Sequence, residues 1–392
     1  MPLGLYISVP FCRTKCSYCN FASDVFSKAV FGRYIDRVCS DIEHAATKAE
    51  QMGGYFQRTV DSIYLGGGTP TILDIAQLRR LFVTISQNFD VQPRAEITVE
   101  CAPATLTPEM LEMLPSCGVN RVSLGVQSFV NAEAASAGRL HSQKIVLEDI
   151  AHLRQAGIAN INVDLIAGLP HQTVESWQVS LQQTIASQVP HVSVYMLEVD
   201  DDSRLGRELI AGGAKYHAHF VPDDDLTADF YLAACEQLES AGVRQYEISN
   251  FAAREAESRH NSKYWTRQPY LGFGVDAHSM LPRTPGTAEA VRFSTSDSLE
   301  EYVAGAALRR TVVDQKSALE ESFFLGLRLN RGVDLRNVAA QFGEEAIGSL
   351  SSIVVDLTHE ALLERFDNTI RLTSRGRLLS NEVFERFLSA AV

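Results

Sequence analysis

The sequence predicts an α/β fold made of six consecutive strand–helix units, followed by a separate, mostly helical C-terminal unit. Three observations predict it. Short apolar or β-branched runs alternate with helical patterns between residues 3 and 196. Glycines, cysteines and lone polar residues gather at the ends of those runs, where a parallel barrel carries its chemistry. Over the last hundred residues the pattern changes to short helices and one alternating, hairpin-like stretch.

The strands are read at Leu3–Val9, Ser62–Leu65, Ala95–Glu100, Arg121–Val126, Asn160–Ile166 and His191–Met196. Each is near-continuously apolar, the pattern of parallel strands buried on both faces. Helices are read at Arg33–Ala49, Ile75–Phe89, Pro108–Cys117, Gln143–Gln155 and Val174–Ser187. Thr107 before Pro108 is an N-cap with proline in the first turn, and Gly118 closes that helix. Six units are too few for a closed eight-stranded barrel.

The first strand runs into Cys12-Arg13-Thr14-Lys15-Cys16-Ser17-Tyr18-Cys19-Asn20-Phe21, which places three thiols within eight residues. Thiolates suit zinc or iron–sulfur clusters. A closed zinc site wants four ligands, so zinc here needs a distant fourth residue such as Cys39 or His44. A cubane held by three thiolates instead keeps one iron open to a small molecule.

The other strand ends are equally unusual. Strand 2 ends in Gly66-Gly67-Gly68-Thr69-Pro70, where missing side chains let backbone approach a ligand. Strand 3 ends at Glu100, strand 4 at Gln127, strand 5 at Asp164 with Gly168-Leu169-Pro170, and strand 6 at Glu198. Six such features at six successive strand ends argue for one site at the mouth.

The Cys-x3-Cys-x2-Cys spacing, with Tyr18 before the third cysteine, resembles the radical S-adenosylmethionine (SAM) superfamily. The segments Leu5–Cys12, Gly66–Thr71, Gly125–Phe129, Gly138-Arg139 and Asn162–Pro170 narrow the resemblance to the HemN/HemW branch. The resemblance implies a partial six-stranded (β/α)6 TIM-like barrel with a winged-helix-like C-terminal domain. It implies a 4Fe-4S cluster on Cys12, Cys16 and Cys19 whose open iron chelates SAM and, once reduced, cleaves it to a 5′-deoxyadenosyl radical. Carried over by position, Tyr6, Gly67 and Glu100 match contacts to the cluster-bound SAM, Glu100 accepting from ribose hydroxyls. Tyr18, Gly68, Thr69, Gln127, Arg139 and Asp164 match contacts to a second SAM. Glu198 and His278 replace apolar neighbours of the SAM ligands, and Phe21 stands beside the cofactor.

Three departures separate the chain from the dehydrogenases of that branch. Phe21 occupies the position of their fourth cysteine and cannot ligate metal. Only eleven residues precede Cys12, against an N-terminal extension in the dehydrogenases. The stretch His260-Asn261-Ser262-Lys263-Tyr264-Trp265 reads His-Asn-x-x-Tyr-Trp, a motif of the HemW family. On a helical turn His260 and Tyr264 share a face. Imidazole and phenolate both serve as heme ligands, and indole offers a flat apolar surface. The plain alternative is a capping turn, with His260 and Asn261 bonded to backbone. The resemblance implies heme binding by His260, Asn261, Tyr264 and Trp265.

Other clusters point to less. Asp200–Asp202 and Asp223–Asp225 lack the spacing of a calcium loop and read as solvated loops. His217 and His219 alternate in a polar linker, spaced to pair on a metal, although a surface location is the plainer reading. Gly272–His278 is expected to return the chain to the barrel mouth, its glycines permitting close approach. The C-terminal unit reads as helices at Ser317–Leu329, Leu335–Phe342, Glu345–Leu357 and Leu378–Leu388, with a hairpin at Arg365–Thr373. Domain boundaries follow as residues 1–215 for the barrel, 216–300 for a connecting segment, and 301–392 for the C-terminal domain.

A net charge of −13 argues against a nucleic-acid partner, which needs a basic surface. No apolar run is long enough to span a membrane, and the first strand starts too early to leave room for a signal peptide. Seven cysteines, three of them assigned, fit a reduced cytoplasmic protein. The resemblance implies a heme chaperone that delivers heme to hemoproteins such as respiratory cytochromes, some of them at the membrane. It also implies an electron donor such as flavodoxin or ferredoxin, and a homodimer. The alternative is a radical SAM enzyme, either a coproporphyrinogen III dehydrogenase or a two-SAM methyltransferase. Phe21 and the short N-terminus weigh against the dehydrogenase.

Overall fold

The structure is a computed structural model describing residues 1–389. Six parallel strands pair in chain order: β1 (Leu3–Val9), β2 (Thr59–Gly67), β3 (Asp90–Cys101), β4 (Arg121–Gln127), β5 (Asn160–Ala167) and β6 (His191–Met196). The helices between them match the sequence expectation closely. The first is split into Phe31–Glu43 and Ala45–Met52 around His44. Local signals account for their starts. Asp74 and Gln77 form a reciprocal capping box at Ile75–Asn88, and Thr107 caps Pro108–Ser116.

The sheet does not close. β6 pairs not with β1 but with antiparallel β8 (Asn250–Ala252), which pairs with β7 (Arg244–Gln245). On the other flank β9 (Tyr270–Phe273) lies parallel to β1. Antiparallel β10 (His278–Pro282), β11 (Ala290–Ser294) and β12 (Arg309–Val313) then complete a twelve-stranded sheet. Residues 216–300 thus supply five of its strands, β7 to β11.

One expectation fails in a useful way: the parallel strands are not apolar on both faces. Residues paired across neighbouring strands share a face. One face carries Tyr6, Tyr64, Thr98 and Arg121, with Glu100, Ser123, Asn162 and His191 a step further along. The other carries Leu5, Ile7, Ile63, Leu65, Val99, Val122, Leu124 and Val163, all in the main core with the helices. The barrel therefore has an apolar outside and a polar lumen.

The lumen is plugged at the N-terminal ends of the strands by the helix Arg259–Trp265. Glu96 of β3 accepts from the backbone N–H groups of Arg259 and His260 at 3.1 and 2.9 Å. Lys263, 1% exposed, pairs with Asp61 at 2.7 Å and donates to the carbonyl of Pro2 at 2.9 Å.

The C-terminal unit has its own core and a three-stranded sheet of β13 (Val333–Asp334), β14 (Leu363–Phe366) and β15 (Thr369–Leu372). Its order is winged-helix-like: Gln315–Gly326, β13, Leu335–Phe342, Glu344–His359, then the hairpin. It is tied to the barrel by Glu321, which pairs with Arg267 at 2.9 Å and Arg292 at 2.6 Å. No helix among the described residues is long and apolar enough to cross a membrane.

Asp223–Asp225 do not form a solvated loop. Asp223 caps the helix Asp224–Ser240, and the other two lie in its first turn, where negative charge suits the helix dipole. Asp200 stays in a turn, accepting from the N–H of Asp202. His217 meets His171 at 3.1 Å, not His219.

Candidate functional site

The cysteine loop sits at the C-terminal mouth and is braced from three sides. Gly68 passes so close that a Cβ there would stand 2.6 Å from the Val9 carbonyl and 2.9 Å from that of Phe11. From beyond β4, the hydroxyl of Thr14 donates to Gly138 O at 3.0 Å, and Ser17 N donates to Ala137 O at 3.2 Å. From beyond β6, Leu205 N donates to Ser17 O at 2.8 Å and Arg204 to Lys15 O at 3.0 Å.

Each of the three sulfurs faces a hydroxyl or guanidinium group. Thr69 Oγ1 lies 4.0 Å from Cys12 Sγ, Arg139 Nη1 3.4 Å from Cys16 Sγ, and Ser23 Oγ 3.9 Å from Cys19 Sγ. That donor set fits thiolates carrying a cluster. Among the described residues no three His, Cys, Asp or Glu side chains are gathered tightly enough for a single ion. Cys39 is packed in the core, and His44 Nδ1 is bonded to Ser40 O at 2.7 Å. Neither turns toward the loop to complete a zinc tetrahedron.

Beside the loop a cavity of about 310 Å³ is lined by Tyr6, Ser8, Phe21, Gly67, Tyr264 and His278 among others. This volume is at the lower end for small-molecule sites, about 300–1,000 Å³. Gly67, at φ +92°, leaves open the space where a Cβ would meet Ser8 Oγ at 2.8 Å and Tyr6 OH at 3.1 Å. A Cβ on Gly66 would fall 2.7 Å from Glu100 Oε1. The glycine run is thus a cradle that side chains would fill, and it fits a nucleotide lying along it. Phe21, 66% exposed, forms part of the rim. Gly274, at φ +102°, brings the Gly272–His278 turn back against Ser8 at the mouth.

Glu100 accepts from Tyr64 OH at 2.8 Å. Burial pushes its carboxyl up to about 7, against the lowering effect of that bond. Asp164 is also raised by burial, although Ser193, Asn162 and Ser123 hold it down in part. Ser123 Oγ and Asn162 Nδ2 reach its two oxygens at 3.1 and 2.7 Å. Arg139 reaches both Cys16 Sγ and the Gly125 carbonyl. Gln127 takes φ +69° at the end of β4, and Tyr18 packs on Ile166 and Leu169. Glu198 lies beyond β6, outside the cavity lining.

The His-Asn-x-x-Tyr-Trp motif divides. Tyr264 reaches the cavity. His260 does not: it is 1% exposed, with Nδ1 3.1 Å from Ser62 Oγ and Nε2 2.9 Å from Tyr264 OH. Burial, then Lys263, pushes its pKa down to about 3, so the ring is neutral. Asn261 N is bonded to the N-cap Ser258, and Trp265 packs under the Arg328 guanidinium at 4.2 Å, next to the C-terminal domain. Sequence reasoning missed Tyr64, Ser62 and Glu96. Their signal was period-two polarity inside otherwise apolar strands.

An open, parallel barrel with a three-cysteine loop and a glycine cradle at its mouth defines a radical SAM protein. The radical SAM superfamily model matches residues 6–183, and the HemN C-terminal domain model matches residues 313–379. Membership of that superfamily implies a 4Fe-4S cluster and SAM. The chain is 31% identical to heme chaperone HemW of Lactococcus lactis over 391 residues, 99% of this chain and 97% of that protein. It is 33% identical to heme chaperone HemW of Bacillus subtilis, covering 98% of each. Coproporphyrinogen III oxidase (HemN) from Escherichia coli shares the fold, with a TM-score of 0.83 at 24% identity, over 98% of this chain and 90% of that one. The chain belongs to the HemW family of heme chaperones.

Proposed function

We propose that this chain is a heme chaperone that binds a 4Fe-4S cluster, SAM and heme, and passes heme to hemoproteins such as respiratory cytochromes. One observation carries this reading: 31–33% identity along almost the whole length to proteins named heme chaperone HemW. Fold alone would not separate it from the coproporphyrinogen III oxidase, whose architecture is the same.

In this reading Cys12, Cys16 and Cys19 hold the cluster. When bound, the cluster supplies an electron and an open iron for the amino and carboxylate groups of SAM. Tyr6, Gly67 and Glu100 line the SAM position, with Phe21 and His278 at its rim. Tyr18, Gly68, Thr69, Gln127, Arg139 and Asp164 form a second SAM position on the β4–β5 side. The segment with Asn261, Tyr264 and Trp265 contributes to heme, Tyr264 from the cavity wall. The chaperone works in the cytoplasm as a homodimer, draws electrons from a flavodoxin or ferredoxin, and meets some recipients at the membrane.

Anaerobic reconstitution followed by parallel assays tests this. Full-length protein is expected to take up hemin stoichiometrically and yield it to an apo-cytochrome. With reductant and SAM it is expected to leave coproporphyrinogen III unconverted. Conversion to protoporphyrinogen IX, with no heme uptake, would replace the chaperone by the dehydrogenase.

A further inference from the structure

We infer that His260 is a positioning residue for the SAM pocket and not a ligand of heme iron; the inference rests on the proposed SAM position beside Glu100. The lumen contains a stack of three rings. Tyr6 lies on Tyr64 with centroids 6.2 Å apart and planes at 29°, and Tyr64 lies on His260 at 5.4 Å and 30°. Tyr6 is at the cavity, and His260 is the bottom of the stack. Tyr64, in the middle, donates to Glu100 Oε1 at 2.8 Å. The position of that carboxylate therefore depends on Tyr64, and that of Tyr64 on the imidazole beneath it.

His260 is held as a base should be. Its backbone N–H donates to Glu96 at 2.9 Å, fixing the ring relative to β3. Ser62 Oγ fixes Nδ1 at 3.1 Å. Nε2, at 2.9 Å, orients the hydroxyl of Tyr264, whose ring stands edge-on to the imidazole at 5.3 Å and 88°. Tyr270 supports Tyr264 from the other side, edge-on at 4.6 Å. One imidazole thus sets two cavity groups, Glu100 through Tyr64 and Tyr264 directly. To bind iron, His260 would have to give up a buried hydrogen bond and displace Tyr264, leaving polar groups unpaired.

The test compares the cluster-loaded full chain with Tyr64→Phe, His260→Phe and His260→Gln. SAM affinity is read by equilibrium dialysis, and the absorption maximum of added hemin is read on the same samples. Tyr64→Phe keeps the stack and loses the bond to Glu100. It should weaken SAM about tenfold, the scale of a hydrogen bond to a charged group. His260→Phe should weaken SAM comparably, and His260→Gln, which retains a donor and an acceptor, should recover much of the loss. The hemin maximum should not move in any of them. If His260→Phe does not fold, His260→Gln carries the comparison, because a heme ligand lost to glutamine would still shift the spectrum. SAM affinity within twofold of wild type in Tyr64→Phe or in folded His260→Phe overturns the inference, as does a shifted hemin maximum in any variant. Wild-type protein that binds no SAM overturns both the inference and the SAM site beneath it. Wild-type protein that binds SAM but takes up no heme removes the chaperone reading alone.

Discussion

Arg139 Nη1 stands 3.4 Å from Cys16 Sγ while Nη2 is bonded to the Gly125 carbonyl, so a cation from beyond β4 is fixed against the sulfur of Cys16. Reduction adds negative charge to a cluster, and hydrogen bonds to its sulfurs help set its potential. Arg139→Gln is expected to make the potential more negative and to weaken cluster retention. The lost charge-assisted bond is worth about 1.5–3 kcal/mol. A redox titration followed by electron paramagnetic resonance, with iron and sulfide analysis, checks both; an unchanged potential would refute the contact.

The ligand assignment gives a sharper expectation. Cys12→Ser, Cys16→Ser and Cys19→Ser should each abolish the visible absorbance of reconstituted protein. Cys39→Ser and Cys235→Ser should leave it intact, because Cys39 lies in the core and Cys235 packs against it. Iron analysis of all five variants decides. Loss of iron in Cys39→Ser without loss of folding would make Cys39 a fourth ligand and overturn the three-cysteine assignment.

Much of this fold was legible because the outward face of the barrel is so regular. Leu3–Val9 and His191–Met196 follow from their apolar runs to the residue. The lumen was harder to read, because its residues are Ser62, Thr98, Ser123, Asn162 and Ser193. Three of these satisfy one another, through the bonds from Asn162 to Ser123 and Ser193, and Ser62 turns to His260. β9 to β12 were missed for a different reason. β9 holds one glycine and four residues in all, and it is a strand because β1 offers it a free edge. In the motif, sequence placed His260 and Tyr264 on one face correctly. It could not show that the shared face looks into a barrel, nor that Ser62 and Tyr64 would be waiting there.

Glu100 makes the stability of the cluster-free protein depend on pH. Its carboxyl rises from 4.5 to about 7 in the fold, so between those values the folded chain binds more protons than the unfolded one. Stability therefore falls as pH rises through that window, and the full penalty is present above 7. Glu100→Gln removes it. The variant should match wild type near pH 4.5 and exceed it at pH 8, by up to about 3 kcal/mol from the shift alone. Denaturant midpoints at the two pH values check this; an equal gap at both would assign the effect to packing.

Glu321 should be the most sensitive point between the barrel and the C-terminal unit. It is 5% exposed and neutralises Arg267 and Arg292 together. Glu321→Ala leaves Arg267, whose side chain is only 9% exposed, without its carboxylate, at a cost of roughly 3–5 kcal/mol. Hydrogen exchange should quicken in the Arg259–Trp265 helix, since Arg267 follows its C-cap Thr266. Unchanged exchange there, with only the C-terminal helices loosened, would show that the two units are not coupled through this triad.

The glycines separate close approach from simple flexibility. Gly68→Ala puts a methyl group 2.6 Å from the Val9 carbonyl and 2.9 Å from the Phe11 carbonyl, both backbone atoms that cannot rotate away. The entry to the cysteine loop must then shift, with an overpacking cost of about 1–3 kcal/mol and loss of cluster binding. Gly32→Ala lies in the helix Phe31–Glu43 with nothing within 4 Å of the new atom. That change should stabilise the chain by about 0.5–1 kcal/mol, the helix propensity of alanine over glycine, and leave cluster content unaltered. Thermal unfolding and iron content measured on the pair check both. If Gly68→Ala reconstituted as fully as Gly32→Ala, the glycine run would be an ordinary turn, and the bracing of the loop would have to come from the contacts beyond β4 and β6, through Thr14, Ser17, Arg139 and Arg204.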